Sequence, residues 1–289
     1  MNARPPFIDA HLHMWDRGRL RYPWLDEADK ASIAGTYLPA DYRREAAAWN
    51  VVGAVHVEAG AHPGDAAAET GWLDGMAAAD GLPDAIVAHV ALDAPDVEAQ
   101  LAFHAGHGRV RGVRHLVNWH PTDAARRAHS HDLTRDDAWR RGYALLARYG
   151  LSFDYHGFPP QLAGMAEVAA LNPDTPVMVD HLALPIVADG LEMWRHGITR
   201  LAAMPHVSIK LSGAGFIGAP CADIVREVID RFGTRRVMVA TNFPTDRLFA
   251  TMDETLGAYE ALLVDFSEDE RRDLWGRNAN TLYRMGLTL

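Results

Sequence analysis

Asp9-Ala-His11-Leu-His13 closes the first apolar run of the sequence, which begins at Phe7. Side chains two apart on a strand point the same way. That spacing places Asp9, His11 and His13 on one side, and Ile8, Ala10 and Leu12 on the other. Two neutral imidazoles at one strand end suit a borderline divalent metal such as zinc. A pair of surface histidines is the competing reading, because an isolated His-x-His is a short motif. Val179-Asp180-His181 closes another apolar run, and Phe153-Asp154-Tyr155-His156 a third. The chain has 15 histidines, so one histidine at a run end is cheap. Three are less so.

Eight short apolar segments are candidate strands: 7–13, 51–58, 85–92, 110–117, 151–156, 177–182, 207–212 and 236–242. Several are continuously apolar, as strands covered on both faces are. Amphipathic stretches lie between them, including 41–49, 64–80, 95–106, 136–149, 160–171, 191–204 and 220–232. Strand alternating with helix eight times predicts a single (β/α)8 barrel domain over 1–289. A doubly wound open sheet competes, but eight repeats fill this length evenly, which favours the barrel. The two long connections, 14–40 and 118–135, follow strands and so fall on a barrel's catalytic face. Trp24, in the first of them, either closes over a ring substrate or staples the loop to the barrel.

The formal net charge is −10, with basic residues short-run and scattered, so a nucleic-acid groove is not expected. No run of about 18 apolar residues occurs, so no membrane partner is expected. Cys221 is the only cysteine and cannot form an internal disulfide; with no apolar leader at the N-terminus, a cytoplasmic location is expected. A small-molecule substrate is the remaining partner, and homo-oligomerisation stays open. Only Lys30 and Lys210 are lysines among 28 basic side chains, and Lys210 lies in an apolar run.

Six segments occur in order: IDAHLHMWD (8–16), YPWL (22–25), VRGVRH (110–115), VDHLALP (179–185), IKLSG (209–213) and NFP (242–244). On them the chain resembles the amidohydrolase-related family that contains sugar-acid lactonases and 2-pyrone-4,6-dicarboxylate lactonase. The resemblance implies a distorted amidohydrolase-like barrel that hydrolyses a cyclic ester, with or without a divalent metal, zinc being the expected one. His11 and His13 match the strand-one pair and His181 the strand-six histidine; His156 is the expected further metal ligand. Arg114 and Lys210 are then candidates to orient a substrate carboxylate or carbonyl, one as a planar fork and the other as a point charge. An ion pair inside the barrel is the alternative for Arg114. For Lys210 function is favoured, since a buried unpaired ammonium is costly.

Two positions depart from the family pattern. The resemblance implies an Asp at the end of strand eight as the base for water, and here that position is Asn242. An amide accepts no proton at neutral pH. Asp246 is the nearest spare carboxylate, as base or as a helix cap; Glu58 and His156 are other candidates. Asn242 is instead a candidate donor to the oxyanion. Ala183 stands where relatives often have Gly, which alters backbone freedom there. Lactone hydrolysis is the expected activity. A metal-dependent nonoxidative decarboxylase on the same barrel, and a non-catalytic ligand-binding barrel, are the alternatives.

Overall fold

The computed structural model describes residues 4–218 and 221–289. Eight strands form one parallel sheet: β1 (Phe7–Leu12), β2 (Val51–Val57), β3 (Ala85–His89), β4 (Val110–Arg114), β5 (Ser152–Tyr155), β6 (Val177–Val179), β7 (Val207–Leu211) and β8 (Val237–Val239). Each pairs with the next, in chain order. The seam between β8 and β1 closes just beyond the strands. There the Asn242 amide donates to the His11 carbonyl and the His13 amide to the Phe243 carbonyl, both at 2.8 Å. Backbone bonds thus hold the NFP segment beside His11 and His13 at the end of β1.

The sheet buries both faces. Phe153, Tyr155, Val177, Val179, Ile209 and Leu211 pack outward against the helices. Ile8, Ala10, Val57, Val87, Met178 and Met238 fill the lumen together with Tyr283 from the C-terminal segment. The helix Glu192–Ala202 shows how the outer layer is patterned. It buries Trp194, Ile198 and Leu201, one stripe at helical spacing. Asp136 caps the helix Asp137–Tyr143, its Oδ1 accepting from the Trp139 amide at 2.9 Å. Among the described residues no helix is long and apolar enough to cross a membrane.

The strands end earlier than the apolar pattern predicts. Val90 and Leu92 are fully buried, yet they lie beyond β3. At the barrel's C-terminal rim the chain leaves its neighbours while loops still cover it, so burial outlasts pairing.

The first long loop is tied down at its base. Trp15 and Tyr37 exchange backbone hydrogen bonds at 3.0 and 2.9 Å. Tyr22 Oη donates to Glu69 Oε1 at 3.2 Å, on the helix Ala66–Asp80. Burial, reinforced by the charge of Glu58, pushes the Glu69 carboxyl up from 4.5 to about 8. The fold therefore favours the acid form. That stabilisation is complete below pH 4.5 and is lost as pH rises towards about 8. Glu69→Gln should remove this loss, so its unfolding free energy stays flatter than the wild type's across that window. Denaturant titrations at several pH values check it, and parallel curves would contradict it.

Candidate active site

Strict alternation along β1 fails at the motif itself. Asp9 pairs with Ala54 and Leu12 with His56, so three steps on β1 span two on β2. This bulge re-aims the side chains that follow it. His11 and His13 face the lumen, whereas Asp9 does not share their side. The Asp9 carboxylate accepts from Tyr42 Oη (3.0 Å), Thr241 Oγ1 (2.6 Å), and the amides of Thr241 (2.9 Å) and His11 (3.2 Å). It fastens the β8–β1 seam and takes no place in the site.

His13 Nδ1–H donates to the Val57 carbonyl at 2.8 Å, leaving Nε2 as an acceptor. That atom lies 3.2 Å from His11 Nε2 and 3.1 Å from Asn242 Oδ1. Burial, together with the Arg114 charge, pushes His13 down to about 4. Burial likewise holds His11 and His181 well below their ordinary value. All three are therefore neutral at pH 7, the state that metal ligation requires. With nitrogen–metal bonds of about 2.0–2.1 Å and tetrahedral angles, two ligand nitrogens stand about 3.3 Å apart. The His11–His13 separation fits that value. A second grouping, His11, Asp180 and His181, also brings its ligand atoms within 4.8 Å of one another. Its carboxylate, however, is already engaged below. His156 belongs to neither grouping. Its Nδ1 lies 2.8 Å from Asn118 Oδ1, which leaves Nε2 as the nitrogen that faces the cavity.

Lys210 is fully buried beneath His11. Its ammonium donates to Asp154 and to Asp180 Oδ1 at 2.9 Å, and lies 3.1 Å from His11 Nδ1, whose N–H faces Asp180 Oδ1 at 3.2 Å. Two carboxylates and the His11 ring enclose the ammonium, which has no exposure and does not wall the histidine cavity, so it presents nothing to a substrate. The substrate-binding role predicted for Lys210 is thus replaced by an internal one. Burial opposes ionisation of Asp180, but the Lys210 ammonium and His11 overcome it and hold Asp180 well below the usual carboxylate range. Arg114 is likewise engaged. Its Nε donates to Glu58 Oε1 at 2.7 Å, and its terminal nitrogens to the Glu58 carbonyl (2.6 Å) and Asp180 Oδ2 (3.3 Å). Burial resists the Glu58 charge, yet Arg114 holds that carboxyl down to about 2, so Glu58 is no base. Arg114 walls the cavity with three of its five N–H groups committed to Glu58 and Asp180, the ion-pair alternative.

His181 begins a left-handed turn: φ is 52° at His181, 57° at Leu182, 62° at Ala183 and 45° at Leu184. Each costs about 1–2 kcal/mol for an L-residue. The turn is held by Trp194 Nε1–H donating to the Leu182 carbonyl at 2.8 Å, and by Ser212 Oγ 2.8 Å from His181 Nδ1. Gly213 makes room for it, since a Cβ there would lie 2.9 Å from the His181 side chain. Ala183 is the departure from the family's Gly, and it sits where a glycine would be unstrained.

Asn242 also has positive φ, 57°. Its Nδ2 donates to Asp246 Oδ1 at 2.7 Å and its Oδ1 faces His13. It therefore offers the histidines an acceptor, not the oxyanion donor that was expected. Burial pushes Asp246 up to about 7, but this carboxyl lies behind Asn242 and lines a different cavity, which removes it as the base. The cavity at the histidines is about 410 Å³, walled by His13, His156, His181, Asn242, Arg114 and Trp24. Trp24 Nε1–H donates to the Ala59 carbonyl at 2.8 Å, so the ring both ties the loop and lines the cavity.

Asp180, Asp154, Ser212 and Asn118 were not singled out from the sequence. A signal was present for two of them. Asp154 sits between outward Phe153 and Tyr155, and Asp180 two residues after lumenal Met178. Both are carboxylates in an inward phase.

The amidohydrolase family profile matches residues 8–285. An uncharacterized protein of Sinorhizobium fredii, y4mH, is 36% identical, covering 96% of this chain and 98% of its own. L-fucono-1,5-lactonase of Burkholderia multivorans is 29% identical over 96% of each. A crystal structure of a Burkholderia multivorans amidohydrolase with bound zinc matches with a TM-score of 0.81 at 28% identity, covering 96% of this chain and 99% of that one.

Removing the ammonium while keeping its volume strands two buried carboxylates. Lys210→Met should lower unfolding stability by about 3–5 kcal/mol. Unchanged stability with a raised KM would instead return Lys210 to substrate binding.

Proposed function

The chain belongs to the amidohydrolase family, and on that premise we propose that it is an enzyme opening a lactone with water. The observation that carries this reading is the clustering of four neutral imidazoles at the barrel's C-terminal rim: His13, His156 and His181 wall one cavity, and His11 packs against His13 and His181. The likeness to a lactonase over nearly its whole length supports the choice of ester.

A divalent cation fits this donor set, with His11 Nε2, His13 Nε2 and Asn242 Oδ1 as the atoms to hold it. Zinc is the candidate, being a good match for neutral imidazole and present in a similar amidohydrolase. When bound, it supplies Lewis acidity toward the ester carbonyl.

The remaining chemistry is assigned to the chain. With Nδ1–H donated to Asn118, His156 keeps its Nε2 lone pair for the cavity. It takes a proton from water as the water oxygen bonds to the acyl carbon. The ring carbon–oxygen bond then breaks, and His156 returns that proton to the departing alkoxide. The product is a hydroxy acid, whose ionisation releases one proton. His181, fixed by Ser212, faces the same space and orients the ester. Asp246 is a positioning residue that holds the Asn242 amide with its oxygen toward His13.

A lactone panel followed by pH indicator tests the activity, alongside elemental analysis of the purified protein. Divalent metal near one equivalent is expected, lost together with turnover in His13→Ala. His156→Gln should keep the metal and lower kcat about 10²–10⁴-fold. Acid release that survives either change would remove that residue from the mechanism.

A further inference from the structure

The histidine cavity has a side chamber. A second space of about 280 Å³ adjoins it, with His156 and Phe216 in the walls of both. The chamber's other walls include Phe158, Leu184, Pro185 and Ile217. Leu184 and Pro185 are set there by the same left-handed turn that aims His181. The reactive centre and this apolar wall are therefore built by one stretch of backbone.

The polar groups around the main cavity are largely engaged with the protein. Arg114 spends three of its five N–H groups on Glu58 and Asp180, and Asn242 Nδ2 is bonded to Asp246. One ring nitrogen each of His13, His156 and His181 bonds to Val57, Asn118 and Ser212. Trp24 shows the cavity only ring carbon, since its N–H is bonded to Ala59. What remains is two Arg114 N–H groups, the Asn242 oxygen, the Thr245 hydroxyl and one nitrogen on each ring, set among the apolar walls of Trp24, Ala59, Leu116, Phe216 and Leu248. A ring carrying several hydroxyls would bury them with too few partners, which costs affinity for each. An alkyl arm faces the opposite balance, because each buried methylene is favourable.

The chamber's charge does not call for an anionic arm. Arg126 stands at its edge, but its Nε donates to Asp123 Oδ2 at 2.9 Å and its guanidinium lies over Phe158, 5.3 Å from the ring centroid. Lys30, beside the main cavity, is paired with Asp29. Each nearby free-chain cation already has a carboxylate.

Resting on the lactone reading above, we propose that the substrate is an uncharged lactone bearing an apolar arm, its ring at the histidines and its arm in the chamber walled by Phe158, Leu184, Pro185, Phe216 and Ile217.

The experiment compares three lactones with the metal-replete full-length protein: δ-decalactone, unsubstituted δ-valerolactone and polyhydroxylated L-fucono-1,5-lactone. The expected kcat/KM for δ-decalactone exceeds that for each of the others at least tenfold. Ile217→Gln and, separately, Phe158→Ser should each reduce the δ-decalactone to δ-valerolactone ratio at least fivefold. Because the readout is a ratio within one preparation, partial loss of folded protein does not imitate it. Hydrolysis of δ-valerolactone or L-fucono-1,5-lactone with no preference for the alkyl arm overturns the proposed arm site and leaves lactone hydrolysis standing. Failure of all three to open overturns both.

Discussion

A single ammonium in the middle of the barrel sets the conditions for everything above it. Lys210 has no exposure to water, and burying such a charge is tolerable only with close partners of opposite sign. Asp154 and Asp180 supply them. Asp180 in turn faces Arg114, and Arg114 faces Glu58. Charges thus alternate from Asp154 through Lys210, Asp180 and Arg114 to Glu58, crossing the lumen between β5, β7, β6, β4 and β2. None of these groups can move without leaving another unpaired in a dry interior.

The histidines rest on this charged floor, and the floor sets their state. Lys210 and Asp180 both meet His11 Nδ1, which turns His11 Nε2 toward His13. Burial and the nearby cations keep the imidazoles neutral. Two local irregularities complete the arrangement: the bulge in β1 and the left-handed run from His181 to Leu184. Strained backbone of this kind persists only where its surroundings over-determine it. Here the indole of Trp194, the hydroxyl of Ser212 and the bare Cα of Gly213 do so.

The barrel was legible because most strands are apolar runs and helices such as Glu192–Ala202 and Cys221–Phe232 repeat an apolar stripe, patterns that depend on burial alone. His11, His13 and His181 were legible because strand ends on the catalytic face point into one mouth. Roles were harder to read than positions. Lys210 looked available because a sequence does not display Asp154 and Asp180 across the lumen. Asp9 looked to share the side of His11 and His13 because alternation is assumed until a bulge breaks it. Asp246 looked like a spare base, but the turn after β8 puts it behind Asn242. Each error arose where one extra residue or one distant partner changes the direction of a side chain.

The central claim, attack of water on the acyl carbon of a lactone beside these histidines, is tested most directly by isotope. The best-turned-over lactone should be opened in water labelled with heavy oxygen, and the product examined by mass spectrometry. One labelled oxygen in the product carboxyl group, with the new hydroxyl unlabelled, is the predicted result. Label in the hydroxyl, or loss of the carboxyl carbon as carbon dioxide, would contradict it.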